Sequence, residues 1–299
     1  MESQNFVSLR CPFPPEGFHL CRMSRSFRIC LLVSACLLAG TTLANEFWLQ
    51  PAQFFIAPNT MLTLRVLVGT NFAGTRWTGK SNRVTQVAHF APTGFTDLTA
   101  ATTATDTLQP ALTLRQAGTH VVTLATNNAF LTLEADQFNS YLKAEGLDYM
   151  LLERQRRGSL QLPGREAYRR CAKTLIAVGN PSASDTARAW SRPTGMPLEL
   201  VPEQNPYVLK SGASFTVRVL AEGQPKPGQL VQVWQRSPGQ AGRVFKLYSN
   251  QNGRVLFRLT EPGEYLLSTV HMVPARLAEA DWQTTWSSLT FGFRPATGR

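Results

Sequence analysis

Hydrophobic and polar positions alternate over much of the chain between residues 54 and 133. Residues 62–68 (LTLRVLV) alternate and end at Gly69, and residues 120–124 (HVVTL) follow a turn at residues 117–119 (AGT). Alternation with a period of two, bounded by turn residues, is typical of β-strands that bury one face. Residues 91–113 are rich in Thr, Ala and Pro and predict polar loops and an edge strand. This part of the chain therefore predicts an antiparallel β-sandwich.

The hydrophobic period becomes that of a helix after Glu134. Apolar residues recur at helical spacing at Phe138, Tyr141, Leu142, Leu147, Met150 and Leu151. Gly146 separates the two groups and predicts the end of one helix before a second begins. We expect a further short helix over residues 165–173 and then a strand over residues 174–179 that returns to the sheet. The pattern thus predicts a helical insert over about residues 134–173.

Alternating segments resume after a loop or linker over residues 180–197, which is rich in Pro and Ser. Residues 215–220, 230–234 and 255–259 predict strands, with Gly and Pro turns between them. This spacing favours an immunoglobulin-like or transthyretin-like sandwich of about 100 residues. The prediction is a mostly β protein with two antiparallel β-sandwich units, residues 45–197 and 198–299, and a helical insert in or after the first.

Residues 23–44 have the three parts of a secretory signal peptide. Arg25 and Arg28 form the positive segment, residues 29–38 form the apolar run, and residues 42–44 (TLA) form a small-residue cleavage site. This pattern predicts that the protein is exported.

The leader covers residues 1–44, and we expect translation to start at Met23 because residues 1–22 have no signal features. Cleavage would make Asn45 the first residue of the mature chain. Two alternatives stay open. An uncleaved apolar run would anchor the protein, although about ten apolar residues are short for a bilayer. The small-small-Cys segment that ends at Cys36 would instead make a lipoprotein tethered through that residue.

Cysteine usage is consistent with export. Four of the five cysteines lie in the leader, which leaves Cys171 alone in the mature chain. No internal disulfide can form there, and we expect Cys171 to be a buried, small apolar side chain. An exported chain with so little cysteine suits the bacterial periplasm.

The basic residues are unevenly distributed. The net charge is +11, and +9 remains when the four basic and two acidic residues of the leader are removed. Much of this excess lies in a basic cluster formed by Arg154, Arg156, Arg157, Arg165, Arg169, Arg170 and Lys173. A solvated helical face is expected there, and a docking surface for acidic lipid or an acidic partner is the alternative. We do not expect nucleic acid as a partner, because the chain is exported and the cluster does not have several aromatic residues interleaved with its basic ones.

Three common catalytic motifs are absent from the sequence. It contains no Gly-x-Ser-x-Gly, no His-Glu-x-x-His and no Cys-x-x-Cys, so we do not expect an enzyme. His89, His120 and His271 are candidate ligands because neutral imidazole binds nickel, cobalt, copper and zinc, although a lone histidine is more often structural. Trp282 and Trp286 can line a pocket, but a place in the core is the favoured interpretation.

Several segments match one known family in the same order along nearly the whole mature chain. They are residues 45–51 (NEFWLQP), 138–147 (FNSYLKAEGL), 165–166 (RE), 170–173 (RCAK), 197–202 (PLELVP), 270–272 (VHM), 281–282 (DW) and 288–291 (SLTF). With them the chain resembles the DUF4198 family of exported bacterial proteins. The resemblance implies a periplasmic component of a nickel or cobalt uptake system, which captures the ion and presents it to a membrane transporter.

The same resemblance implies a metal site formed by Asn45, His120 and His271, with nickel or cobalt as the ion and no organic cofactor. Family members commonly begin the mature chain with histidine, whereas Asn45 keeps the terminal amine and lacks the imidazole. A late transition metal would therefore bind more weakly here or not at all. The alternative is an immunoglobulin-like interaction module without a metal, which contacts a membrane complex through the basic cluster or the region of Trp282 and Trp286.

Overall fold

Eighteen β-strands and three α-helices occur in the computed structural model, which describes residues 46–104, 108–181, 187–237 and 242–295. The strands are β1 (Glu46–Pro51), β2 (Phe55–Ile56), β3 (Thr60–Thr70), β4 (Ala73–Arg76), β5 (Val84–Phe90), β6 (Phe95–Asp97), β7 (Ala111–Leu114), β8 (Gly118–Thr126), β9 (Ala129–Leu133), β10 (Gly164–Val178), β11 (Leu198–Pro202), β12 (Ala213–Ala221), β13 (Gln224–Pro225), β14 (Leu230–Arg236), β15 (Arg243–Tyr248), β16 (Arg254–Leu259), β17 (Gly263–Leu277) and β18 (Ala280–Phe293). The helices are α1 (Thr99–Thr103), α2 (Ala135–Ala144) and α3 (Asp148–Arg156).

A central ten-stranded sheet contains strands from both halves of the chain. Its order is β15-β14-β17-β18-β10-β8-β5-β6, and β2 and β9 also pair with β10. Most pairs are antiparallel, but β10 runs parallel to β18 and to β2. All described residues belong to one compact unit, Leu43–Arg299. The division into units at residues 197 and 198 stays a prediction, and strands from both sides of it share this sheet.

A smaller sheet covers each face of the central sheet. The first contains β1, β3, β4 and β7, and the second contains β11, β12, β13 and β16. Strand β10 can pack against both small sheets, because successive side chains along a strand point to opposite faces of its sheet. Ile176 packs with Leu64 of the first small sheet, and Leu175 packs with Phe215 of the second. The predictions of a mostly β fold and of sandwich packing are confirmed.

The helical insert covers the β17–β18 hairpin. Phe138, Tyr141 and Leu142 are buried on one face of α2, as their spacing predicts. They belong to a core that includes Trp282 and Trp286, which are 2% and 6% exposed. The favoured interpretation of both tryptophans as core residues is therefore confirmed.

The prediction of a helix over residues 165–173 is wrong, because this segment belongs to strand β10. Residues 164–168 pair with β9 on one side, and residues 166–174 pair with β18 on the other. Two of its exposed or half-buried cations form ion pairs, Arg165 with Asp281 and Arg169 with Glu222. The helical insert therefore ends before β10.

The basic cluster is not a single solvated helical face, and that expectation is also wrong. It is divided between α3, the following loop and β10. Arg154 and Lys173 are each 1% exposed, so their charges are part of the interior. Cys171 is buried and has no disulfide partner, as expected. The leader, its cleavage site and Cys36 lie outside the described residues, and no helix in the described ranges is long and apolar enough to cross a membrane.

Candidate functional site

The predicted metal ligands do not come together on one face of the central sheet. Asn45 lies outside the described residues. His120 is in β8, two residues before Val122, whose side chain packs toward the first small sheet. His271 is in β17, four residues after Leu267, so the two side chains lie on the same face of the strand. Leu267 packs toward the second small sheet. Because strand side chains alternate, His120 and His271 point to opposite faces.

These two histidines are also distant along the strands. His120 is opposite Ile176 of β10, whereas His271 is opposite Thr285 of β18, which pairs with Arg169 of β10. Seven residues separate positions 169 and 176, which corresponds to about 23 Å along the strand. Ligand nitrogens must lie about 2 Å from a bound ion. One ion cannot contact both histidines.

His120 instead forms a buried pair with His89. The planes of the two rings are nearly parallel, inclined by 5°, and their centroids lie 5.1 Å apart. Nε2 of His89 lies 2.8 Å from Nδ1 of His120, and Nε2 of His120 lies 2.8 Å from the carbonyl oxygen of Gln116. A carbonyl only accepts, so His120 is protonated on Nε2 and accepts from His89 on Nδ1. Both ring nitrogens of His120 therefore take part in hydrogen bonds, and a metal ion could bind His120 only by replacing one of them.

His271 lies where α3 meets β17. Its Nδ1 is 3.2 Å from the hydroxyl of Tyr149, which donates to the carbonyl of Met272 at 3.0 Å. In the parts of the chain that the structure describes, no three or more His, Cys, Asp or Glu side chains form a group that could hold a metal ion. The two described members of the implied set therefore do not fit a common nickel or cobalt site.

The histidine pair is expected to weaken the fold in acid. Burial, and then the charge of His120, lower the pKa of His89 from its ordinary value of 6.5 to about 4. Between these values the unfolded chain binds a proton that the folded chain excludes, so this stability is complete above pH 6.5 and is lost as the pH falls toward 4. Between pH 7 and pH 5 we expect a loss of about 2 kcal/mol from this group. Urea unfolding at pH 7 and pH 5 should show a smaller pH effect in His89→Gln than in the wild type, and equal effects would contradict the assignment.

One end of the protein is formed by α3, residues 157–163 and the β17–β18 turn at residues 273–281, and we call it the insert end. These parts are in direct contact. Arg157 lies over the ring of Trp282, 5.2 Å from its centroid, and Arg165 donates to the carbonyl of Ala278 at 3.3 Å. The helix, the loop after it and the hairpin are therefore neighbours.

Large apolar side chains are exposed at the insert end. They are Tyr149 (38% exposed), Leu152 (56%), Leu162 (57%), Val273 (40%) and Leu277 (40%). Exposed apolar groups gathered in one place mark interaction surfaces more often than scattered ones do. These exposed side chains were not predicted from the sequence, but a signal was present, because residues 150–152 are three consecutive apolar residues that cannot all share one helical face.

Several of the charges around this apolar group are paired. Glu153 accepts from Arg157 at 2.7 Å and lies 3.9 Å from Arg156, and Arg165 pairs with Asp281 at 2.7 Å. Such exposed pairs contribute little stability. They do cancel much of the positive field that would attract an anionic lipid surface. Apolar side chains with a polar rim are instead characteristic of surfaces that contact proteins.

Comparison with solved structures finds only distant similarities. The D0–D1 domain of intimin is 11% identical, over 83% of this chain and 98% of that one, with a TM-score of 0.19. Three N-terminal domains of the outer capsid protein Hoc of bacteriophage RB49 are 7% identical, over 84% and 71%, also with a TM-score of 0.19. A marsupial T cell receptor is 8% identical, over 85% and 72%, with the same score. Scores this low carry no argument about this chain.

Comparison with known protein families, in contrast, identifies a match. No curated protein matches the chain. The family described as "Domain of unknown function (DUF4198)" matches residues 42–273, which is well over half of the sequence. The chain therefore belongs to the DUF4198 family.

Proposed function

We propose that this chain is an exported interaction module without catalytic activity, which docks onto a protein of a bacterial membrane complex. The insert end supplies the docking surface. The observation that carries this proposal is the group of exposed apolar side chains at that end, beside ion pairs such as Arg157 with Glu153 and Arg165 with Asp281. The signal-like leader over residues 23–44 supports the periplasm as its compartment, and the absence of Gly-x-Ser-x-Gly, His-Glu-x-x-His and Cys-x-x-Cys motifs supports a non-enzymatic role.

Docking is better supported than capture of nickel or cobalt. Metal capture by Asn45, His120 and His271 needs these residues to reach one ion, and the two histidines lie on opposite faces of the central sheet. Docking requires only the surface that the insert end already exposes.

Photo-crosslinking in the exporting cell tests the docking surface. A photoreactive phenylalanine derivative replaces Leu152 at the insert end, and in a matched control it replaces Phe95. Phe95 is 57% exposed and lies in β6, at the edge of the central sheet opposite to β15. We expect one adduct of defined mass in the membrane fraction from position 152 and none from position 95.

Adding Leu277→Asp should lower the yield of that adduct at least about tenfold, because a charge at the centre of an apolar contact is costly to bury. Leu277 is exposed, so the stability of the protein should stay within about 0.5 kcal/mol of the parent value. Equal adducts from both positions, or a yield unaffected by Leu277→Asp in a folded protein, would contradict the proposal.

A further inference from the structure

Side chains on one face of β1 form successive layers with side chains of the β14–β17 region. Gln50 donates to Oε1 of Glu264 at 3.4 Å. Trp48, the next residue on that face, packs with Trp234 of β14. Because side chains on one face recur every two residues, the next layer of β1 is occupied by Glu46.

This layer brings a second carboxyl group into the interior. Gln232 lies two residues before Trp234 in β14, and its Nε2 donates to Oε2 of Glu145 at 3.1 Å. Glu145 follows the last residue of α2. Glu46 and Glu145 are only 6% and 7% exposed, and the pKa of Glu46 is raised mainly by burial and, to a smaller extent, by the charge of Glu145.

Neither carboxyl group forms an ion pair in the part of the chain that the structure describes. Within the described ranges, no ion pair joins either of them to a Lys, Arg or His side chain, and Oε2 of Glu46 has no hydrogen-bond partner. Burial raises the pKa of each from 4.5 to about 7, and the charge of Lys246 only partly offsets this for Glu145. Nζ of Lys246 donates to the carbonyl of Ala144 at 3.4 Å. An unpaired buried carboxylate is costly, so this arrangement points to a cation.

We propose that Glu46, Glu145 and Gln232 bind a divalent cation that prefers oxygen ligands, with Ca²⁺ as the occupant. Each carboxylate can supply one or two oxygens, and the amide of Gln232 can turn to present Oε1. Water completes the six to eight oxygen ligands that Ca²⁺ takes. The site has no nitrogen or sulfur donor, which sets it apart from sites for late transition metals. The ion joins β1, β14 and the end of α2, and it is independent of the docking surface.

Luminescence of Tb³⁺, which replaces Ca²⁺ and emits when a nearby indole is excited, tests this site in the full-length chain. Trp48 lies two residues from Glu46 on the same face, about 7 Å along the strand. We expect sensitised emission that added Ca²⁺ abolishes. Glu145→Gln should weaken binding at least about tenfold, because Ca²⁺ affinity follows the number of charged ligands. Glu166→Gln is the matched control, because Glu166 is an equally buried carboxyl group whose Oε1 already accepts from Tyr141 at 3.3 Å.

Thermal unfolding at pH 8 provides a second measurement that does not depend on emission. Without metal, Glu145→Gln should unfold at a higher temperature than the wild type, because the variant removes a buried charge. With Ca²⁺ present the order should reverse, because only the wild type gains binding energy. The proposal is overturned if the wild type shows no Ca²⁺-displaceable emission, if Glu145→Gln binds like the wild type, or if Glu145→Gln is the less stable protein in both buffers.

Discussion

Replacing Lys173 with methionine is expected to lower the free energy of unfolding by about 3–5 kcal/mol. Lys173 in β10 is 1% exposed, and its Nζ donates to Oε2 of Glu199 at 2.9 Å. Glu199 is 2% exposed and also accepts from the backbone N–H groups of Thr194 and Met196. Removing the ammonium group leaves a buried carboxylate without its counter-charge. That loss is larger than the net contribution of the intact pair, because forming the pair already required both charges to leave water.

A double variant separates the lost ion pair from the lost packing. Burial would raise the pKa of Glu199, but Lys173 and the N–H groups of Thr194 and Met196 hold that pKa below its ordinary value. In Lys173→Met/Glu199→Gln no charge remains, and the amide oxygen can still accept from the backbone, so most of the stability should return. Urea unfolding at pH 7 of the wild type and both variants measures this. A loss below about 1 kcal/mol in the single variant would show that the pair is not buried in solution.

The matched control for this prediction is an exposed ion pair on the same strand. Arg165 and Asp281 are joined at 2.7 Å, but their side chains are 47% and 39% exposed. Solvent screens such a pair, so Arg165→Met should cost less than about 1 kcal/mol. The contrast between positions 165 and 173 tests whether burial, rather than ion pairing itself, decides the size of the effect.

Elements with one buried face were predictable from local pattern. Residues 62–68 lie in β3, residues 120–124 in β8 and residues 215–220 in β12. A strand with one face on a core repeats every two residues wherever its partners come from in the sequence. The buried face of α2 was predictable for the same reason at helical spacing.

The nature of β10 was not predictable from local pattern. Its first half carries Arg165, Glu166, Arg169, Arg170 and Lys173, a composition typical of a surface. The segment is a strand because β18 runs parallel to it, with Arg169 opposite Thr285, 116 residues later. Short-range turn signals predict antiparallel neighbours and contain no information on such a distant pairing. The buried ion pair of Lys173 with Glu199 is likewise visible only after the strands are assembled.

The same limit applies to the histidines. His120 and His271 both lie in strands, and sequence alone leaves their separation open. Assembly puts β10 and β18 between β8 and β17, and it puts β5 beside β8, which brings His89 to His120. The pairing of neighbouring strands thus brings His89 and His120 together, although the spacing of the histidines along the chain did not indicate this pair. Glu46, one residue after the expected mature terminus, became a candidate ligand only through its unpaired oxygen.

Truncating Phe138 to alanine is expected to lower the free energy of unfolding by about 3–5 kcal/mol and to loosen the insert. Phe138 is fully buried, its ring centroid lies 5.8 Å from that of Tyr141, and the guanidinium of Arg154 lies 4.9 Å above it. A Cβ added at Gly164 would lie 2.3 Å from the ring, so the ring packs directly on the start of β10. A helix as short as α2 is not stable alone. Its position depends on this contact.

Leu152→Ala is the control for Phe138→Ala, because Leu152 is 56% exposed in the same insert and its truncation should change stability by less than about 0.5 kcal/mol.

Hydrogen exchange then distinguishes two ways in which Phe138→Ala can act. Faster exchange of the α2 and α3 amides with β8 unchanged means that the insert opens by itself, whereas faster exchange throughout means that it unfolds with the sheets. Unchanged exchange in α2, together with a loss below about 1 kcal/mol, would contradict the prediction. Because α3 carries the docking surface, either kind of opening should also reduce the crosslink from position 152, and this connects packing at Phe138 to the proposed function.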